Sequence, residues 1–146
     1  MIHQRGFTMV ELIMVIVITG ILAAVVGPRF FERQVFDERM FFEESIGAVR
    51  YAQKLALASG CLTQVSLSNA GYQLRQAANC NGGAYVLEVI GPDGQTPYAG
   101  AVPAGIVLPA NNFPLVFDSL GRPAAAASAS IGGFTLNVAA ETGLVQ

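Results

Sequence analysis

The longest feature of the hydrophobic pattern is an apolar run near the start of the chain, from Phe7 to Val26. It consists of Leu, Ile, Val, Met, Ala and Phe, interrupted only by Thr8, Glu11, Thr19 and Gly20. This is about the 20 residues that an α-helix needs to cross a bilayer. A helix that is apolar all round must be buried in lipid or in other protein. The pattern predicts a transmembrane helix over residues 7–28.

A second helical pattern follows over residues 29–60, where an apolar stripe runs between charged residues. Apolar residues recur at a period of about 3.6 residues. The predicted buried face consists of Phe31, Val35, Phe42, Ile46, Val49 and Ala56. Gly60 is a suitable stop, because glycine readily takes the left-handed conformation that ends many helices. The later part, residues 50–61, is predicted to be the spine beneath a β-sheet.

The first half of this second helix is rich in aromatic residues. They are Phe30, Phe31, Phe36, Phe41 and Phe42. These rings are too widely spread around the helix for one globular domain to cover all of them. Some are therefore expected to pack on neighbouring subunits, and the alternative is contact with lipid headgroups or with the chain's own domain.

Pro28 stands between the two helical patterns, directly after Gly27. Inside a continuous helix it would remove one backbone hydrogen bond and kink the axis. Alternatively, it starts the second helix at its first turn, where proline is well tolerated. The helix kink is the prediction, and the sequence leaves this alternative open.

Beyond residue 60 the pattern changes to short alternating runs separated by Gly, Pro and Asn. Residues 62–68 and 72–76 alternate on either side of a turn at 69–71, which indicates a β-hairpin. Residues 84–90 form a third predicted strand. The sequence Gly91-Pro92-Asp93-Gly94 ends that strand with a strong turn signal.

The rest of the chain continues this β-rich pattern. Residues 95–112 are rich in Pro, Gly, Ala and Asn, and they are predicted to be an extended loop. Residues 114–118, a turn at 119–123 and residues 134–138 complete the predicted sheet. The sequence thus predicts an α+β fold, in which a long N-terminal helix packs its C-terminal half on an antiparallel β-sheet domain.

Composition and charge narrow the function classes. The 146 residues suffice for one domain plus the N-terminal helix. The hydrophobic fraction is 53% and the mean hydropathy is +0.50, to which the apolar run and many Ala residues contribute. A net charge of -2 and a pI near 5.2 imply neither a strongly basic nor a strongly acidic partner.

The two cysteines, Cys61 and Cys80, both lie beyond the apolar run. An even count after a membrane segment favours a disulfide in an oxidising compartment such as a periplasm. The alternative is a pair of free buried thiols. A zinc site is disfavoured, because the only His, His3, lies before the apolar run.

Catalytic, cofactor-binding and metal-binding residues are not predicted. The single Lys54 lies in the second helical pattern, and no nucleophile or phosphate-binding motif is present. Asp118 and Arg122 are four residues apart across a turn. They form either a charge pair or a turn in which Asp118 accepts backbone hydrogen bonds while Arg122 is solvated.

The start of the apolar run carries a recognisable motif. A secretory signal peptide would have a cleavage site after its apolar region, whereas the only processing point here lies before it, at Gly6-Phe7. The sequence Arg5-Gly6-Phe7-Thr8 followed by Glu11-Leu12, with Pro28 just past the run, resembles the class III signal of type IV pilins and type II secretion pseudopilins. This resemblance implies that a prepilin peptidase removes residues 1–6 as a leader and that the new N-terminus, Phe7, is methylated.

Glu11 is the one acidic residue in the apolar run. A carboxylate in hydrocarbon is costly, so it usually marks function. The alternative is that Glu11 lies near the headgroups, where it snorkels or is protonated. The resemblance implies instead an assembly contact with the N-terminal amine of Phe7 in a neighbouring subunit.

The resemblance extends downstream. The sequence 117–122, with Thr142-Gly143 and residues 50–61, is similar to the minor-pilin domain shared by pseudopilin H and fimbrial biogenesis pilins, most closely those of the mannose-sensitive haemagglutinin type. This implies a minor pilin at the tip of a fibre or as its initiator. The implied segments are a leader (1–6), a membrane helix (7–28), an amphipathic spine (29–60) and a β-rich pilin domain (61–146).

The same resemblance implies the partners and the location. The partners are other pilin or pseudopilin subunits, the prepilin peptidase and an inner-membrane assembly platform. The chain is expected to span the bacterial inner membrane once, with its C-terminal domain in the periplasm, and to enter a pilus or pseudopilus after assembly.

Two other functions are weighed against this one. A DNA-uptake pilin would need a basic exported surface, but after Lys54 the only cations are Arg75 and Arg122. Nucleic acid is therefore an unlikely partner. A membrane-anchored adhesin or ligand-binding domain would be favoured by a ligand pocket in the 91–112 segment.

Overall fold

The structure is a computed structural model that describes residues 7–26 and 33–146. The chain forms two compact units, with the boundary between Arg33 and Gln34. The elements in chain order are α1 (Met9–Val26), α2 (Arg33–Ser59), β1 (Thr63–Ser68), β2 (Gly71–Ala77), β3 (Tyr85–Glu88), β4 (Ala99–Gly100), β5 (Leu115–Phe117), β6 (Ala127–Ile131) and β7 (Phe134–Val138).

The first unit contains α1, whose 18 residues fall inside the predicted helix over 7–28. Its first backbone hydrogen bond runs from the Leu12 N–H to the Thr8 carbonyl, at 3.2 Å. Across residues 7–26 and 33–146, no helix combines the length and the apolar character that crossing a membrane requires. The membrane-spanning helix stays a prediction.

The second unit begins with α2, which confirms the second predicted helix over its described length. Its buried stripe consists of Phe41, Ser45, Ile46, Ala48, Val49, Ala52 and Ala56. Val35 belongs to the predicted apolar face but is exposed. The helix ends as predicted at Gly60, which has a φ of +69° and donates its N–H to the Ala56 carbonyl at 2.9 Å.

The aromatic residues of α2 divide between the core and the surface. Phe41 is fully buried, with its ring 6.0 Å from that of Tyr72. Phe42 is half-buried and stacks on Phe134 at 5.2 Å, whereas Phe36 is exposed. The domain therefore covers part of the aromatic set, and Phe30 and Phe31 lie outside the described residues.

The main sheet is antiparallel and has the strand order β3-β2-β1-β5, with β4 also paired to β2. The predicted hairpin is confirmed: β1 and β2 pair from Thr63↔Gln76 to Ser68↔Gly71. Alternation buries Val65, Leu67 and Leu74 in one core with the stripe of α2. The third predicted strand is also present, although it is shorter than the alternating run.

Three details of the β region differ from the prediction. The predicted loop over 95–112 contains β4, which pairs with Tyr72 and Gln73. The Ala-rich segment before residue 131 contains β6, which the pattern did not predict. Strand β7 pairs with β6 in a separate two-stranded sheet and does not complete the main one.

Candidate functional site

The N-terminal end of α1 is organised by Thr8. Its side-chain oxygen accepts a hydrogen bond from the Glu11 N–H at 3.3 Å, and its carbonyl accepts the first helical bond. Thr8 is therefore the N-cap, because it satisfies a backbone donor that the first turn would otherwise leave free. The sequence reasoning missed this role, although the Thr-x-x-Glu spacing was its signal.

Glu11 stands three residues after Thr8, the spacing at which a glutamate often returns a hydrogen bond to the N-cap backbone. That return bond is not formed. Within the described residues the Glu11 carboxylate accepts no hydrogen bond, and the only ion pair joins Arg122 to Asp118. The carboxylate is exposed on the isolated chain, so it is available to a group from another molecule.

The surface of α1 around Glu11 is apolar and uncovered. Large exposed side chains in this segment are Phe7, Met9, Val10, Leu12, Ile13, Met14, Val15, Ile16, Val17, Ile18, Ile21, Leu22 and Val25. An exposed apolar surface this extensive marks a site of contact with lipid or with other protein. Glu11 is the single acidic group on it.

Two predicted functional residues lie outside the described part of the chain. Gly6 belongs to residues 1–6 and Pro28 to residues 27–32. The cleavage at Gly6-Phe7, the methylation of Phe7 and the helix kink at Pro28 all stay predictions.

In the second unit, Cys61 and Cys80 form a disulfide with a sequence separation of 19. It joins the end of α2 to the segment after β2, and a hydrogen bond from the Leu62 N–H to the Cys80 carbonyl at 2.8 Å lies beside it. The bond fixes the helix to the sheet, since both cysteines adjoin regular elements.

The turn after β5 combines both readings of Asp118 and Arg122. One Asp118 oxygen accepts the backbone N–H groups of Leu120 and Arg122, at 2.9 and 2.8 Å. The other forms the ion pair with the Arg122 guanidinium, at 3.1 Å. These hydrogen bonds, led by the backbone N–H of Arg122, hold the pKa of the Asp118 carboxyl below its ordinary value.

The grooves of the second unit bear on the alternative of a ligand-binding domain. One of about 320 Å³ touches the 91–112 segment at Ala99, Gly100 and Ala101, and its lining contains no charged side chain. Over the described ranges, no group of three His, Cys, Asp or Glu residues is placed to hold a metal ion.

Comparisons with known proteins match the N-terminal segment in one case and most of the chain in the other. A family model described as the prokaryotic N-terminal methylation motif matches residues 1–27. The chain is also 32% identical to the fimbrial protein EcpB of Eikenella corrodens over 127 residues, which are 85% of this chain and 73% of that protein. No solved structure matches the chain.

Proposed function

The chain belongs to the type IV pilin family, and from this membership we propose that it is a minor pilin or pseudopilin. Pilin-family proteins are structural subunits, so the chain is not an enzyme and associates with other pilin subunits. The proposed role is assembly through the N-terminal helix into a type IV pilus or a type II secretion pseudopilus. Its place at the tip, or as initiator, rests on the resemblance of its domain to minor pilins.

Processing and anchoring come first in the proposed sequence of events. The prepilin peptidase cuts at Gly6-Phe7, and the Phe7 amine is then methylated. The segment 7–28 holds the subunit in the inner membrane, where the assembly platform receives it, with the C-terminal domain in the periplasm. The Cys61–Cys80 disulfide supports this location, because structural disulfides persist in oxidising compartments.

The observation that carries the assembly role is the Glu11 carboxylate, which has no partner among the described residues and lies on the exposed apolar surface of α1. Cleavage at Gly6 would create a positive amine on Phe7. An isolated charge in an apolar environment is penalised, whereas an amine and a carboxylate that are desolvated together attract strongly. Glu11 therefore recruits the Phe7 amine of a neighbouring subunit, and the contact sets the register between adjacent helices.

DNA uptake has less support as a second function. Beyond Lys54 the cations are Arg75 and Arg122, and Arg122 is already paired with Asp118. A phosphate backbone would find few free positive groups on this domain.

The proposed function is tested by a pair of substitutions at the cleavage site in the producing cells. Gly6→Ala keeps a small residue and should be trimmed normally, whereas Gly6→Glu should keep its leader and stay out of fibres. Intact-mass measurement reports the leader and the added methyl group on Phe7, and immunoblotting of sheared fibres reports incorporation. Wild-type chain that retains residues 1–6, or that is absent from fibres, would refute the proposal.

A further inference from the structure

Three of the four outer edges of the two sheets are closed by segments of the chain itself. At β5, Phe117 bridges to Pro123, and the Ala124 N–H donates to the Val116 carbonyl at 3.0 Å. At β6, the Asn112 N–H donates to the Ser128 carbonyl at 3.3 Å. At β7, Asn137 and Gln146 exchange backbone hydrogen bonds of 2.8 and 2.9 Å.

The outer edge of β3 is different. Strand β3 pairs with β2 on its inner side. The Val86 N–H donates to the carbonyl of the adjoining Ala84 at 3.1 Å, and no segment other than β2 and this adjoining residue forms a described backbone hydrogen bond to Tyr85–Glu88. Val86 and Leu87 are 55% and 48% exposed, and Ile90 just beyond the strand is 60% exposed. Natural edge strands are protected by short length, bulges, charged residues, Pro or a covering segment. Strand β3 is short, lies beside a register shift and carries Glu88, but it contains neither Lys nor Pro.

The edge also determines what can cover it. The backbone groups of β3 that remain free on this edge can be satisfied by an extended polypeptide strand, which adds to the sheet and places alternate side chains against its neighbours. Glu88 is the only charged residue of β3, and although it lies opposite Arg75 in β2, the two form no ion pair in the described structure. An incoming strand therefore meets apolar side chains and one unpaired carboxylate.

We propose that the β3 edge docks an extended segment of another pilin subunit, one that carries apolar residues and a Lys or Arg opposite Glu88. This inference rests on the proposed function, because the occupant is a fibre subunit. A second copy of this chain fits less well: its own residues 84–90 contain no basic residue and would bring a second Glu88 to the contact.

The test places a photo-cross-linking amino acid at Val86 of the full chain in the producing cells. After irradiation, adducts in sheared fibres are purified and the cross-linked peptides are mapped by mass spectrometry. The expected adduct joins position 86 to an extended segment of another pilin subunit that contains Lys or Arg. Adding Glu88→Lys should lower the adduct yield roughly tenfold, since an attractive cross-strand pair becomes a like-charge pair.

Two further variants sharpen the test. Leu87→Lys should also abolish the adduct, because a lysine on an edge opposes strand addition. Val107→Lys is the matched control, since Val107 is 74% exposed, lies outside every strand, and should leave the yield unchanged. Fibre incorporation of each variant is measured in the same samples.

Several results would overturn the inference. They are fibres that contain the chain without an adduct at position 86, an adduct to a helix or to a second copy of this chain, and a yield that Glu88→Lys leaves unchanged. Each of these leaves the proposed function standing. A chain that never enters fibres refutes both proposals, which distinguishes the two failures.

Discussion

The side-chain amide of Gln53 in α2 donates a hydrogen bond to the carbonyl oxygen of Thr142 at 2.9 Å. The same nitrogen donates to the Gly121 carbonyl, also at 2.9 Å. The two hydrogens of this amide thus link the loop at Gly121 and the loop at Thr142 to α2. These two loops contain residues on which the resemblance to minor pilins rests, namely 117–122 and Thr142-Gly143. The resembling residues therefore lie where the loops contact α2.

Replacing Gln53 tests this junction. Gln53→Leu keeps much of the side-chain volume but leaves two carbonyl groups without their donor, which should lower the free energy of unfolding by about 1–3 kcal/mol. Lys54→Leu is the neighbouring control, because Lys54 is exposed and forms no hydrogen bond in the described structure. Urea unfolding of the full chain in detergent measures both variants, and equal effects would contradict the assigned role.

Gly121 is predicted to resist substitution for two reasons. Its φ is +69°, and a Cβ at this position would lie 2.8 Å from Cγ of Leu57. Gly60 has the same φ of +69° with nothing within 4 Å, so Gly60→Ala should cost only the backbone strain, about 1–2 kcal/mol. Gly121→Ala should cost up to about 1 kcal/mol more, because the half-exposed Leu57 side chain must turn away from the new Cβ.

The double variant Gly121→Ala with Leu57→Ala separates the two causes. Removing the Leu57 side chain relieves the clash and leaves the strain, so the two substitutions should not be additive. Thermal unfolding of the four proteins gives the coupling. Additive effects would show that Leu57 does not limit the space beside Gly121.

The disulfide should be a major source of stability. A closed loop of about 20 residues contributes about 3 kcal/mol in the chain-entropy description. The double variant Cys61→Ser with Cys80→Ser should lose this amount in urea unfolding and should not respond to reductant. Reduced wild-type protein should unfold at the same urea concentration as the variant. Free thiol on both cysteines of unreduced, denatured wild-type protein would contradict the bond itself.

Stability at high pH should depend on Tyr72. Burial, with the nearby charge of Glu44 second, raises the pKa of the Tyr72 hydroxyl from 10.0 to about 12. Between these values the unfolded chain releases the proton and the folded chain keeps it, so stability is intact below pH 10 and falls as the pH rises towards 12. Because solvent screens part of this effect, the loss at pH 12 should be on the order of 1 kcal/mol.

Tyr72→Phe is the control for that pH dependence, because it removes the titrating hydroxyl and keeps the ring beside Phe41. Urea unfolding at pH 9 and pH 11.5 should show a clearly smaller loss in the variant than in the wild type. The same loss in both proteins would assign the effect to other groups, of which Tyr98 is the nearest, since burial raises its pKa as well.

Strong periodic signals predicted most of the fold, and weak ones explain the errors. β6 was missed although Ala127–Ile131 alternates between buried and exposed, because Ala and Ser rarely mark strands. The stripe of α2 was placed slightly wrongly, since Phe41 enters the core beside Tyr72 while the adjacent Phe42 is half-buried against Phe134. A helical period fixes a face to within about one residue.

Only part of the candidate site could be predicted from the sequence. The costly position of a carboxylate in an apolar run singled out Glu11, but the assembly contact came from the resemblance to pilins and stays a prediction. The N-cap role of Thr8 could have been predicted from the Thr-x-x-Glu spacing. The open edge of β3 needed the strand order, because no single strand reveals which of its sides is paired. Contacts that depend on distant segments are invisible to a local pattern.

The final prediction separates an anchor from an assembly contact at Glu11. If α1 serves only as an apolar anchor, Glu11→Leu removes an unfavourable charge and incorporation into fibres should be unchanged or better. If the carboxylate recruits the Phe7 amine of a neighbour, Glu11→Leu keeps the apolar surface and should abolish incorporation. We expect loss of incorporation, measured by cross-linking to partner pilins at matched membrane levels with leader cleavage confirmed.

Thr8→Val is the variant that makes this result specific to charge. It removes the hydroxyl that caps α1, at a cost of about 1 kcal/mol to the helix, and it leaves the Glu11 carboxylate in place. Thr8→Val should therefore enter fibres at close to the wild-type level while Glu11→Leu does not. Equal loss in both variants would assign the defect to the start of the helix. Wild-type incorporation of Glu11→Leu would mean that the acid is not an assembly contact, and a merely anchored domain would then explain the protein better.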